Sequence, residues 1–146
     1  MKLLQLTPNL MVADVANSTT FYKELFDLEI QYMIVKGGEG DDGFDTEVQP
    51  GVEYQYAGLI HNDFRIGLQE KESILADVTE ITEKNAGTMS GNLYFEVESL
   101  EEIKDKLADT NYRDVPTTWY GMQEIYLSDP DGYIICIAQK DPDFEM

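Results

Sequence analysis

Trp119-Tyr120-Gly121-Met122-Gln123-Glu124-Ile125-Tyr126-Leu127-Ser128-Asp129-Pro130-Asp131-Gly132-Tyr133-Ile134-Ile135-Cys136-Ile137 reads as a β-hairpin. Two stretches rich in apolar, β-branched and aromatic residues flank an Asp-Pro-Asp-Gly turn. There Pro130 fixes φ and Gly132 accepts a positive φ. Working outward, Gly91 to Glu98 reads as a strand, and Ser99-Leu100-Glu101-Glu102 is a capping box that opens a helix to about Ala108. Strands are expected over about Val115 to Thr118, Gln123 to Ser128 and Tyr133 to Gln139.

The first half of the chain has the same order. A strand-like run from Leu3 to Ala13 ends at Asp14, which can cap a helix over about Val15 to Phe26 with Val15, Phe21, Tyr22 and Leu25 inward. Strand candidates follow at Glu29 to Val35, Glu53 to His61 and Phe64 to Glu70. Val12 and Val97 correspond at a separation of 85, and Gly67 and Cys136 at 69, so the first half carries about 16 extra residues. The Gly-rich and acidic segment 37–51 accounts for nearly all of them. It reads either as a solvated connection or as a mobile flap whose Phe44 and Val48 fold over something. Thr79 to Ser90 reads as the link between modules, about 1–78 and 91–140.

Composition sets outer bounds. The 146 residues, 42% apolar, suffice for one domain with a real core. Ten basic against 29 acidic residues give a formal charge of −19, which repels phosphates and anionic lipid, so neither nucleic acid nor membrane is an expected partner. The charge serves solubility or concentrates cations near the surface. With no apolar run near the ~20 residues of a membrane span and no signal-like start, the expected location is the cytoplasm. Cys136 is the single cysteine, so an internal disulfide and a cysteine-built zinc site are excluded, and a packed thiol is expected.

Leu6-Thr7-Pro8-Asn9-Leu10-Met11-Val12-Ala13-Asp14, the following Ser18-x-x-Phe21-Tyr22-Lys23-x-Leu25-Phe26, and the Asp129-Pro130-Asp131-Gly132 hairpin together resemble the vicinal-oxygen-chelate superfamily. That group includes glyoxalase I, extradiol dioxygenases and bleomycin-resistance proteins. The resemblance implies an α+β fold of two βαβββ modules side by side, forming a curved mixed sheet with a ligand cup, and assembly as a homodimer. In members with metal chemistry, the opening strands supply His or Gln and the closing strands supply Glu. The matching positions here are Thr7, Asn92, Gly67 and Cys136, so no metal and no cofactor is expected. A register slip of two would bring Gln69 to the place of Gly67, still without a competent ligand shell. His61, the only histidine, sits beside Asn62-Asp63 in a turn and reads as a structural or surface residue rather than a ligand.

Alternation places Asn9 and Met11 on the face of Thr7, Arg65 and Gln69 on that of Gly67, Tyr94 and Glu96 on that of Asn92, and Ile134 and Ala138 on that of Cys136. With Trp119, Tyr120, Met122 and Glu124 these make a face of aromatic, thioether, amide and carboxylate groups. The expected ligand contacts are Asn9, Met11, Arg65, Asn92, Tyr94, Trp119, Tyr120, Met122 and Glu124, with no catalytic residue. The aromatics could equally close a sheet edge or a dimer contact. No phosphate loop and no nucleophile–histidine arrangement is present; the Glu47/Glu53 pair would do acid–base chemistry only if buried. The expectation is a metal-free protein, similar to bleomycin-resistance proteins, that sequesters a small aromatic or cationic molecule. The alternatives are a metal-dependent lyase, isomerase or dioxygenase of the same superfamily, and an acidic interaction module for a basic protein.

Overall fold

The computed structural model describes residues 1–88 and 91–145; of the 79–90 link, Met89 and Ser90 lie outside the described residues. The chain divides into two compact units, the first Met1–Thr88 and the second the remainder. The elements of the first unit are β1 (Asn9–Val12), α1 (Val15–Phe26), β2 (Glu29–Val35), β3 (Phe44–Asp45), β4 (Tyr54–His61), β5 (Phe64–Glu70) and α2 (Lys71–Asp77). Those of the second are β6 (Leu93–Glu96), α3 (Leu100–Lys106), β7 (Arg113–Val115), β8 (Met122–Ser128) and β9 (Ile134–Lys140). The α+β class and the two-module order expected from sequence are both present.

In each unit the opening strand lies parallel against the closing strand, while the other pairings are antiparallel. The sheet orders are β1-β5-β4-β2-β3 and β6-β9-β8-β7. One face of the first sheet carries Leu10, Leu68, Ala57 and Met33, paired across four strands and buried with the inner stripe of α1. Asp14 caps α1, accepting from the Asn17 N–H at 3.0 Å. Val15, Tyr22 and Leu25 are buried as expected, but Ser18 and Thr19 share the stripe, and Phe21 is only half-buried. In the second sheet, Ile125, Leu127, Ile135 and Ile137 are buried on the side of α3, which contributes Leu100 and Ile103. Ser99 caps α3 through the Glu102 N–H at 3.2 Å.

Several boundaries differ from the sequence reading. β1 begins at Asn9, six residues later than expected, because Pro8 has no N–H and sits at a sheet edge; Leu3, Leu4 and Leu6 before it are exposed. β7 stops at Val115, where Pro116 follows, so its expected 115–118 span shifts toward the N-terminus. α3 ends at Lys106 in a tight turn, where the Leu107 N–H reaches back to Ile103 and Lys104. α2 is absent from the sequence reading because one buried residue, Ile74, gives no periodicity. Within the 37–51 segment, a 3₁₀ turn at Gly40–Gly43 leads into β3, which pairs with β2. Phe44 is exposed on β3, and the buried Tyr54 hydroxyl donates to Asp45 at 2.5 Å and accepts from the Gln49 N–H at 3.1 Å.

The Asp-Pro-Asp-Gly hairpin forms as read. Gly132 has φ +88°, and its N–H donates to the Asp129 carbonyl at 3.0 Å. The buried Asp129 carboxylate accepts from the N–H groups of Asp131 and Tyr133, both at 2.9 Å. Charge-assisted bonds of this kind contribute about 1.5–3 kcal/mol each. Asp129→Ala is therefore expected to lower stability by about 2–4 kcal/mol in urea unfolding, against under about 0.5 kcal/mol for the exposed Asp131→Ala.

Candidate ligand-binding site

In the first unit, Asn9 pairs with Gly67, Gly67 with Gly58, and Gly58 with Tyr32. One step along, Met11, Gln69, Tyr56 and Ile34 are aligned in the same way. This face lies opposite the one that packs on α1. Two adjacent glycines in mid-sheet make a slot, and tyrosine rings fill it. Tyr32 lies over Gly58, with its ring edge 3.3 Å from where a Cβ would be; a Cβ at Gly67 would run into the Tyr56 hydroxyl and stand 2.6 Å from Asn9 Oδ1. The Tyr32 and Tyr56 rings stack at 5.8 Å. Burial, together with the neighbouring Tyr32 hydroxyl, holds the Tyr56 phenol above the ordinary tyrosine value.

Asn9 is oriented from behind. Its Nδ2 donates to Gln69 Oε1 at 2.9 Å, and the buried Gln69 amide donates to Ser73 Oγ and Asp77 Oδ2, each at 2.9 Å. Ser73 and Asp77 belong to α2, so this chain escaped the sequence reading along with the helix. Arg65 turns to Gln31, with Nη1 to Oε1 at 2.8 Å.

In the second unit, Tyr94, Cys136, Tyr126 and Arg113 are register partners across all four strands, followed by Glu96, Ala138, Glu124 and Val115. Glu124 is 2% exposed. Its Oε2 accepts from the Tyr94 hydroxyl at 2.7 Å, and the Tyr120 hydroxyl approaches Oε1 at 2.9 Å and Oε2 at 2.8 Å. Among the described residues no Lys or Arg pairs with this carboxylate. The Tyr94 ring is half exposed while its hydroxyl end is turned onto Glu124; burial of that end, then the hydrogen bond, hold its pKa well above the ordinary value. For Tyr120 the hydrogen bond to Glu124 is the larger cause of a rise in the same direction. Met122, a buried residue, opens β8 on the same face rather than preceding the strand.

The segment ahead of β8 is held by its own bonds. The Thr118 side chain accepts from the Met122 N–H at 3.0 Å, Asp141 accepts from the Thr117 hydroxyl, and the Asp141 N–H donates to the Gly121 carbonyl at 2.9 Å. Gly121, at φ +83°, lies against the ring of Phe144, which leaves no room for a side chain. Trp119 is exposed and meets Tyr120 edge-on at 5.2 Å. Asn92 is exposed just before β6.

Residues 2–137 match the Glyoxalase/Bleomycin resistance protein/Dioxygenase superfamily, and the chain belongs to that superfamily. Similar solved structures include the genomically encoded fosfomycin resistance protein FosX from Listeria monocytogenes, 16% identical over 98% of this chain and 96% of that one, with a TM-score of 0.60. TioX from Micromonospora sp. ML1 is 9% identical over 94% and 98%, at 0.63. An integron cassette protein of V. cholerae is 21% identical over 95% and 97%, at 0.58. At these identities the likeness is one of fold. No curated protein sequence matches the chain.

At the four positions that the sequence resemblance matches to metal donors, the groups present do not make a ligand shell. The Thr7 hydroxyl accepts from Gln5 Nε2 at 2.7 Å, and Asn92 offers an amide. Gly67 has no side chain, and the Tyr56 hydroxyl stands where one would be. Cys136 is fully buried; burial pushes its thiol up, away from the thiolate a metal requires. Among the described residues no group of three or more His, Cys, Asp or Glu is placed to hold an ion. His61 is exposed at the end of β4, and Glu47 and Glu53 are exposed as well.

Two outcomes are expected. Gly67→Ala should destabilise by about 1–3 kcal/mol through overpacking, with part recovered in Gly67→Ala/Tyr56→Phe, as read in a denaturant double-mutant cycle. Tyr126, whose hydrogen bond to Cys136 and burial push it up to about 12, should titrate late in the 295 nm tyrosinate absorbance. Its protonated form is favoured by the fold, so this contribution to stability is complete below about pH 10 and is lost as pH rises toward 12.

Proposed function

We propose that this protein is a metal-free member of its superfamily, a single domain of two modules that binds and sequesters a small aromatic or cationic molecule as a homodimer. The observation that carries the reading is Glu124, a carboxylate 2% exposed with two phenols on it and no cationic partner among the described residues. Burying a charge costs several kcal/mol unless it is compensated, and phenolic hydrogen bonds compensate only part of that. A cation arriving at Tyr94, Tyr120 and Trp119 would complete the compensation and gain about 0.5–2 kcal/mol from each aromatic face. The charge of −19 draws cations toward any such face. The replaced ligand positions support binding without a metal.

No described helix is long and apolar enough to cross a membrane. The chemistry expected of the protein is retention of the molecule, with no bond made or broken.

The reading is tested on protein purified without chelator or metal-affinity steps. Elemental analysis should give well under one ion per chain. Thermal shift against planar aromatic cations and their neutral counterparts should show stabilisation by the cations that falls in high salt. One ion per chain, with an activity lost on chelation, would replace this proposal by the enzyme reading.

A further inference from the structure

The environment of Glu124 carries the small-molecule reading one step further. A carboxylate offers about four lone-pair positions, and each phenol brings one proton. The Tyr94 hydroxyl donates a hydrogen bond to Oε2, and Tyr120 lies within reach of both oxygens, so at most two of the four positions are filled at once. No other hydrogen bond or ion pair to Glu124 is made by any described residue. The residue is nonetheless almost wholly removed from water, at 2% exposure. What the site lacks is N–H or O–H donors carrying positive charge. Bulk and aromatic surface are already supplied by Tyr94, Tyr120, Trp119 and Met122.

The route to Glu124 is set by the same residues. Tyr94 and Tyr120 are 49% and 40% exposed, so either ring can turn outward and uncover the carboxylate. Two positive side chains share this face at equal register distance from Glu124, and neither compensates it: Arg113 is held over the Tyr126 ring at 4.6 Å, and Lys140, the register partner of Met122, pairs with Glu96 at 3.9 Å. An incoming donor would take the place of one phenolic hydroxyl, and the displaced ring would remain beside it as a cation–π wall.

We infer that the ligand is a protonated primary or secondary amine borne on an aromatic group, with its N–H donated to Glu124 and Tyr94 acting as the displaceable hydroxyl. A quaternary ammonium has the charge but no proton to donate, and an alcohol has the proton but no charge. The inference rests on the small-molecule reading above and narrows it to one chemical class.

Three probes separate these terms: 2-phenylethylamine, its N,N,N-trimethylammonium analogue and 2-phenylethanol. Binding is followed by calorimetry and by the emission of Trp119, the chain's single tryptophan, excited at 295 nm, where none of the probes absorbs. The amine should bind at least tenfold more tightly than the trimethylammonium analogue, and the alcohol more weakly than either. Glu124→Gln should abolish the preference for the amine. Tyr94→Phe keeps the ring and removes the competing hydroxyl, so it should bind the amine several-fold more tightly; it also serves if Glu124→Gln fails to fold. Equal binding of the amine and its trimethyl analogue, or weaker amine binding by Tyr94→Phe, overturns the inference. Failure of all three probes while planar cations still shift the melting temperature overturns the amine class alone. If no cation in either set binds, the small-molecule reading falls with it.

Discussion

The parallel pairing of opening and closing strand in each unit is the constraint on which the remaining geometry depends. Because β1 lies on β5 and β6 on β9, residues some sixty and forty positions apart in the chain become direct neighbours: Asn9 meets Gly67, and Tyr94 meets Cys136. A pleated strand exposes alternate residues on opposite faces, so these two pairings determine every side chain that shares the polar–aromatic face. A slip of one residue in the β6–β9 ladder would send Tyr94 toward the helix and Phe95 outward. The buried apolar set on the other face, Leu10 with Leu68 and Ile135 with Ile137, makes such a slip expensive.

Much of this is legible in the chain itself. Asp14 and Ser99 announce their helices because a short oxygen-bearing side chain ahead of an apolar stripe has few other uses, and Asp-Pro-Asp-Gly admits almost only a turn. Alternation alone places Asn9, Met11, Gln69, Tyr94 and Glu96 on faces that the observed registers reproduce. Other features leave no local signal. The Tyr32–Tyr56 stack depends on glycines in two strands lying side by side, and Gly58 and Gly67 look like ordinary weak strand residues until they are paired. The part played by Ser73 and Asp77 depends on a helix too short to show a period. Glu124 is visible as a carboxylate in an apolar strand, but its two phenolic partners come from β6 and from the turn before β8, positions that only the fold brings together.

Gly67 and Cys136, the two closing-strand positions that the sequence resemblance matches to ligand glutamates, are packed in different ways. At Gly67 the missing side chain is replaced by a neighbour, since the Tyr56 hydroxyl and Asn9 oxygen close the space from either side. At Cys136 the replacement is smaller and apolar, sealed under Tyr126 and Tyr94. A phenol lies beside each of the two, Tyr56 over the glycine and Tyr126 next to the thiol. The result is a pair of sheets whose polar faces are rich in hydroxyl donors and poor in metal donors.

The tail beyond β9 bears on how the turn ahead of β8 is held. Asp141 and Phe144 fasten Gly121 and Thr117, and with them the short segment that presents Trp119 and Tyr120. Lys140, the last residue of β9, is exposed. Cleavage after Lys140, which pairs with Met122 at the end of the β8–β9 ladder, would release the residues that make this fastening. Among the described residues, only the bonds of Thr118 to Met122 and Gly121 would then hold the turn from which the Tyr120 hydroxyl reaches Glu124.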